Sequence, residues 1–229
     1  MAQIPLPLVL RKYSRFDTFV AGDNRALVGH LKSLGPGSDP VILWIWGPAG
    51  SGKSHLLQAI CASSPAQRAM YLPLRPVQPA GVDVLQGLEM LDIVALDNVD
   101  TVSGDAVWEQ ALFGLYNRIQ MARTHLIFAA RRAPAGTPFA LPDFASRAAG
   151  AVVYQVHTLD DDQSLTALQG HANARGLDLP DAAARYLFAR VSRDMVGICR
   201  WLDELDTASL VAKRKLTIPF IRAALTERS

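Results

Sequence analysis

The run Gly47-Pro48-Ala49-Gly50-Ser51-Gly52-Lys53-Ser54 matches the phosphate-binding pattern G-x-x-x-x-G-K-[ST]. The chemistry such a spacing supports is electrostatic. Glycines permit backbone turns that a Cβ would block, so successive amides at a helix N-terminus can ring an anion. Lys53 brings a positive charge to the β and γ phosphates, and the Ser54 hydroxyl is placed to ligate magnesium. A glycine-rich turn with an exposed lysine would fit the same letters. What favours phosphate is the setting, directly after an apolar strand pattern and before a helix. A second motif supports the first: Ile93-Val94-Ala95-Leu96-Asp97 is an apolar strand ending in a carboxylate. Alone, such an aspartate is an ordinary turn residue; beside a phosphate loop it is suited to hold Mg2+. The expected ligand set is ADP or ATP with Mg2+, the cation held by Ser54 and Asp97. Asn98 stands where many such ATPases carry an acidic residue, and a neutral amide cannot take a proton from attacking water, so weak intrinsic hydrolysis is expected.

The elements that must position these residues alternate along the chain. Residues 41–46 form a short continuous apolar run of the kind expected for a strand buried on both faces, and similar runs follow at 69–72, 93–96, 126–130 and 151–156. Trp108, Leu112, Leu115 and Ile119 fall on one stripe of a helix starting near Asp105, and a shorter helix is expected over 24–33. Strand and helix in alternation predict a parallel sheet with helices on both faces. The segment 73–81, with Pro73, Pro76 and Pro79, is expected as a surface connection. From Asp160 the strand signal disappears, and helices are expected over 160–175, 181–190 and 194–212 and after Pro219. The predicted organisation is an extended tail at 1–10, interrupted by Pro5 and Pro7, an α/β core at 11–158, and an all-helical subdomain at 159–229.

Composition narrows the function classes. Half of the residues are hydrophobic, which excludes a chain disordered throughout, and 23 basic against 21 acidic residues are too balanced to imply a dedicated polyanion-binding surface. Cys61 and Cys199 have neither metal-ligand nor disulfide spacing, and His55, His125, His157 and His171 have no metal-ligand spacing. With no signal-like N-terminus and no bilayer-length apolar run, the expected location is the cytoplasm, without membrane insertion.

Phe16-Asp17-Thr18-Phe19-Val20-Ala21-Gly22-Asp23-Asn24 resembles the F-D-x-F-V-x-G-x-x-N segment of DnaA-type AAA+ ATPases, at the matching distance from the phosphate loop. Asp97-Asn98-Val99, Leu115-Tyr116-Asn117-Arg118, Leu141-Pro142-Asp143-Phe144-Ala145-Ser146-Arg147 and Arg214-Lys215-Leu216-Thr217-Ile218-Pro219-Phe220 extend the resemblance over nearly the whole chain, to the regulatory members of that family that inactivate DnaA. The resemblance implies a P-loop AAA+ core followed by a helical lid. It implies nucleotide contacts from Phe16 and Asn24 near the base, and from Gly47, Pro48, Ala49, Gly50, Ser51, Gly52, Lys53, Ser54 and His55. It also implies that Arg147 is an arginine finger reaching a neighbouring subunit's nucleotide. A guanidinium suits that task, being always charged and able to bond two phosphate oxygens at once.

Gln3-Ile4-Pro5-Leu6-Pro7-Leu8 resembles the short peptide by which bacterial replication proteins dock on the DNA sliding clamp, with Gln3, Ile4, Leu6 and Leu8 as the contacts. A tail folded onto the protein's own surface is the plainer alternative. The implied partners are the sliding clamp and DnaA, with self-association and with DNA reached only through the clamp. The implied role is that of a negative regulator of replication initiation which stimulates hydrolysis of DnaA-bound ATP in trans. An autonomous ATPase of helicase-loader or clamp-loader type is the alternative. A DNA-reading initiator is not expected, since the sequence ends at Ser229 without a helix-turn-helix domain. Three positions depart from the family pattern. Ala129 and Ala130 stand where a polar residue would sense the γ-phosphate, with Arg131 and Arg132 following, and Val196 stands at the aligned position of a nucleotide-sensing arginine, between Arg193 and Arg200.

Overall fold

The structure is a computed structural model that describes residues 13–35, 37–63, 67–190, 197, 201–203 and 216–226. The tail carrying Gln3, Ile4, Leu6 and Leu8, and the lid positions Arg193, Val196 and Arg200, lie outside the described residues, as does most of the helix expected over 194–212. Two compact units are present, one from Asp23–His157 with the residues up to Phe16, the other from Asp17–Gly22 with Thr158 onward.

The first unit is built on five strands: β1 (Ile42–Trp46), β2 (Ala69–Pro73), β3 (Ile93–Asp97), β4 (His125–Ala130) and β5 (Val152–Gln155). They pair only in parallel, in the order β2-β3-β4-β1-β5. The three central strands read as unbroken apolar runs because helices cover both faces, and β3 and β4 are buried along their whole length. The two edge strands break the pattern expected for them: in β2 only Leu72 is buried, and in β5 Val152 and Val153 are 44% and 42% exposed. An edge strand has one neighbour, so an apolar run alone does not make it interior.

Five helices flank the sheet: α1 (Arg25–Ser33), α2 (Lys53–Ala62), α3 (Leu74–Val77), α4 (Ala106–Ala122) and α5 (Pro142–Ala149). α4 starts where the Asp105 carboxylate accepts from the Val107 and Trp108 amides, and it ends at Arg123 in a left-handed conformation. Its Trp108, Leu112, Leu115 and Ile119 stripe is buried against the sheet as the spacing predicts. The segment 73–81 is not the surface connection expected from its prolines. Leu74 and Val77 form the short helix α3 and are buried in the main core. Proline is tolerated in a first helical turn, and the two apolar side chains offset the cost of ordering it.

The second unit contains α6 (Asp161–Ala174), α7 (Asp181–Phe188) and a helix over Ile218–Thr226. α6 opens with a capping box in which Asp160 and Gln163 satisfy each other's backbone amides. Leu165, Leu168, Leu179, Leu187, Leu202 and Ile221 belong to a separate apolar core, so this unit has its own reason to fold. Among the described residues no helix is long and apolar enough to cross a membrane.

Candidate functional site

Where β1 ends, the chain passes between two neighbours. The Gly47 amide donates to the Ala130 carbonyl at the end of β4, 3.3 Å away, and a Cβ built on Gly47 would lie 2.4 Å from the Val156 carbonyl oxygen just after β5. Glycine is required there by close approach. Gly50 and Gly52 hold φ of 78° and 96°, the left-handed region, and this turns the loop over the start of α2. No side chain caps α2, whose N-terminal residue is Lys53, so its first amides remain open to an anion.

Lys53 folds back over the loop and is 8% exposed. Its ammonium donates to the carbonyls of Gly47 at 2.8 Å and Pro48 at 2.7 Å and to Ser51 Oγ at 3.3 Å. Burial pushes its pKa below the usual lysine value, the Asp97 and Asp100 carboxylates oppose that shift, and Arg131 adds to it. Arg131 and Asp100 therefore lie within electrostatic reach of the loop. The Arg131 amide also donates to Asp100 Oδ1 at 3.3 Å.

Asp97, 1% exposed at the end of β3, joins the two motifs. Ser54 Oγ donates to its Oδ2 at 2.5 Å, the Tyr71 hydroxyl donates to the same oxygen at 2.8 Å, and the Asn98 amide donates to Oδ1 at 2.8 Å. The adjacent hydroxyl and carboxylate are hard oxygen donors, and this chemistry fits Mg2+. Asn98 also has a backbone reason for its identity: it sits at φ 58°, ψ 40°, a left-handed conformation that asparagine tolerates, and its carbonyl accepts from the Thr101 amide and hydroxyl. Ala129 and Ala130 are buried sheet residues paired with Ile45 and Trp46, and they present no polar group.

The other residues implicated by sequence surround this loop or stand apart from it. His55 donates from Nε2 to the Arg15 carbonyl at 2.7 Å, tying the segment before Phe16 to the start of α2. Phe16 begins a short 3-10 turn, with the Lys32 ammonium 5.6 Å from its ring centroid. Asn24 is buried, and both ends of its amide are used by one residue: Nδ2 donates to the His157 carbonyl at 3.1 Å and Oδ1 accepts from the His157 amide at 2.8 Å. That side chain braces α1 against the end of β5. Pro48 and Ala49 are the exposed crest of the loop.

Arg147 stands apart. It is exposed on α5, with its guanidinium 5.7 Å from the ring centroid of Tyr116 on α4. Tyr116 lines a groove with Pro40, Val41 and Ile42 at the N-terminal end of β1, whereas the phosphate loop leaves the C-terminal end of that strand. Phe144 and Ala148, one helical turn apart, point into the core, and this turns Arg147 outward. The entry to α5 is held by a residue that no motif indicated. Glu109 of α4 is completely buried, and its carboxylate accepts from the amides of Gly104 at 2.6 Å, Ala140 at 3.0 Å and Leu141 at 2.6 Å. Tyr71, Asp100 and Glu109 were not found from sequence because each acts through a partner more than two residues away in a different element; only the polar Glu109 on the buried side of α4 left a trace in the helical pattern.

Comparison with known proteins agrees with this architecture. The bacterial DnaA ATPase domain family matches residues 10–147, more than half of the chain, and the Hda lid domain family matches residues 161–225. Domain III of the replication initiation protein DnaA from Thermotoga maritima superposes with a TM-score of 0.76 at 19% identity, covering 96% of this chain and 98% of that one. DnaA from Aquifex aeolicus bound to AMPPCP superposes with a TM-score of 0.64 at 22% identity, over 82% of this chain and 63% of that one. The Holliday junction branch migration motor RuvB of Thermotoga maritima gives 0.60 at 19% identity, over 90% and 67%. At such identities these likenesses speak for the fold alone, a parallel sheet flanked by helices of the AAA+ DnaA type. With a glycine-bound loop on β1, a carboxylate ending β3 and a family match over most of this unit, the chain belongs to the bacterial DnaA ATPase domain family and carries a lid of the Hda type.

Proposed function

We propose that this protein binds ADP or ATP with Mg2+ at the Gly47–Ser54 loop, docks on the DNA sliding clamp through Gln3, Ile4, Leu6 and Leu8, and presents Arg147 to ATP held by DnaA. DnaA-bound ATP is then hydrolysed, and initiation of replication is restrained. The nucleotide part of this reading is supported by the relatives of like fold solved with AMPPCP, an adenine nucleotide. Ser54 and Asp97 would hold the cation, which supplies charge neutralisation on the phosphates. Lys53 would exchange its loop carbonyls for phosphate oxygens, and the α2 amides would accept the remaining charge.

The observation that carries the trans reading is the separation of Arg147 from its own phosphate loop. An exposed guanidinium beside the N-terminal end of β1 is poorly placed to serve a loop at the other end of that strand, and well placed to meet a neighbour. Rate gains of roughly 10³ to 10⁵ are usual when such an arginine reaches developing phosphate charge. Asn98 cannot accept a proton from attacking water, and Ala129 and Ala130 offer no polar group to a γ-phosphate, so all three weigh against the rival, an ATPase working by its own turnover.

Hydrolysis of ATP by this protein alone, by DnaA alone, and by the two together with clamp-loaded DNA separates the readings. The trans reading expects fast turnover only in the complete mixture. Equal turnover by this protein alone would replace it with the motor. Replacing Gln3, Leu6 and Leu8 together by alanine should abolish co-elution with the clamp and leave nucleotide affinity unchanged; undiminished co-elution would show that the tail is not the docking element.

A further inference from the structure

The Asp97 carboxylate is held by a residue that neither phosphate-site motif contains. We propose that Tyr71 is a positioning residue for the cation at this site, fixing the rotation of the Asp97 carboxylate so that Ser54 and Asp97 act together. The inference rests on the nucleotide-binding reading above.

Both hydroxyl donors converge on one oxygen, Tyr71 at 2.8 Å and Ser54 at 2.5 Å on Oδ2, while the Asn98 amide takes Oδ1 at 2.8 Å. A carboxylate has room for about four hydrogen-bond partners. Three are present, from three different segments: the start of α2, the middle of β2 and the residue after β3. The serine hydroxyl can donate its proton to Asp97 and still offer a lone pair to a cation, so the Ser54 contact is compatible with metal binding. The tyrosine contact differs. The phenol donates its one proton to Oδ2 and, being anchored on β2 rather than on the loop, restrains that oxygen independently of Ser54.

Sheet register explains why this position carries the role. Tyr71 pairs with Ala95 and Pro73 pairs with Asp97, so Tyr71 lies two residues back on the neighbouring strand. That offset is the length a tyrosine ring spans when it leans along the strand toward the C-terminal edge. A serine or threonine there could not reach Oδ2. Gln58 of α2, itself buried, adds a further hydrogen bond to the phenol, so the supporting side chain is itself supported. Partners of metal ligands commonly tune metal affinity in this way.

The test is Tyr71→Phe, which keeps the ring and removes the hydroxyl. ADP affinity would be measured by titration in excess Mg2+ and in excess EDTA, and Mn2+ affinity of the ADP-loaded protein by electron paramagnetic resonance. The proposal expects metal affinity to fall about 10-fold, at the low end for partners of metal ligands because Ser54 and Asn98 still hold the carboxylate. ADP affinity in EDTA should stay within a factor of about two of wild type on the same grounds. Equal losses with and without the metal, including those of a variant that no longer folds, would assign Tyr71 to the scaffold and overturn the proposal. Unchanged Mn2+ affinity would overturn it as well. If wild-type protein bound no ADP at all, the nucleotide-binding reading would fall and this inference with it, an outcome distinct from a Tyr71 variant that binds like wild type.

Discussion

The two ends of β1 are built by different means. At the C-terminal end, a run of eight neighbouring residues folds on itself, so that Lys53 is buried against its own loop carbonyls and the exposed Ser54 bonds Asp97. At the N-terminal end, an exposed Arg147 lies over Tyr116 on a helix whose entry at Leu141 is held by Glu109, 38 positions before Arg147 in the chain. The contrast teaches that a site built to enclose a ligand can be written as a local motif. A residue proposed to reach a partner needs only a rigid base, and that base is supplied by whichever elements pack beneath it.

If the division is right, the two ends should fail independently. Arg147→Ala should lower stimulated turnover of DnaA-bound ATP about 10³-fold while leaving this protein's own nucleotide affinity unchanged, and lysine should not rescue it. Parallel measurement of turnover and ADP binding checks this. A loss of ADP binding would mean that Arg147 serves its own site. In the opposite direction, Lys53→Ala should weaken nucleotide binding roughly 100-fold, the loss expected from two or more charge-assisted hydrogen bonds. Calorimetric titration measures it, and an unchanged Kd would refute the phosphate-loop assignment.

Glu109 sharpens the comparison, since it touches no ligand in either reading. Glu109→Ala removes the carboxylate that the Gly104, Ala140 and Leu141 amides share and should cost about 2 kcal/mol in denaturant unfolding. Under conditions where the variant remains folded, stimulation of DnaA should drop more than ADP affinity does. Equal retention of both would reduce Glu109 to a core residue with no bearing on Arg147.

The smallest effect concerns pH. His125, at the N-terminal end of β4, accepts from the Val41 amide through Nδ1 at 3.2 Å and so donates from Nε2 to Ser38 Oγ at 3.1 Å. Burial holds its pKa below the ordinary imidazole value, with Asp92 opposing and His30 reinforcing that shift. The unfolded chain therefore takes up the proton first as pH falls. Stability from this group is complete above about pH 6.5 and is lost as pH drops toward the folded value. Melting temperature should fall modestly between pH 7 and pH 5, with hydrogen exchange rising at Val41 before it rises in the phosphate loop. In His125→Asn the fall should be smaller. A wild-type Tm independent of pH over that range would show that the His125 contacts persist on protonation.

Much of the first unit was legible because burial on both faces leaves a plain mark. The runs at 41–46, 93–96 and 126–130 are the interior strands, and the Trp108 to Ile119 stripe faces the core. The same rule misjudged 151–156, whose apolar composition does not say that the strand lies at an edge. It also misjudged 73–81, where the prolines outweighed Leu74 and Val77 in a reading by composition, while packing decided the structure. Asn98 was read as a missing acidic group, and its left-handed backbone gives a second reason for that residue type.

By itself the sequence determined the turn of the Gly47–Ser54 loop, because a glycine-lysine-serine spacing acts through a backbone shape that neighbouring residues create. It also determined the strand-helix alternation and the helices over 161–174, 181–188 and 218–226, because local periodicity records which face is buried. The order of the strands, the convergence of Ser54, Tyr71 and Asn98 on Asp97, and the hold of Glu109 on the α5 entry were decided only by tertiary structure. Each depends on side chains from segments far apart in the chain meeting within hydrogen-bond distance. Such contacts are set by register and packing, which no short stretch of residues encodes.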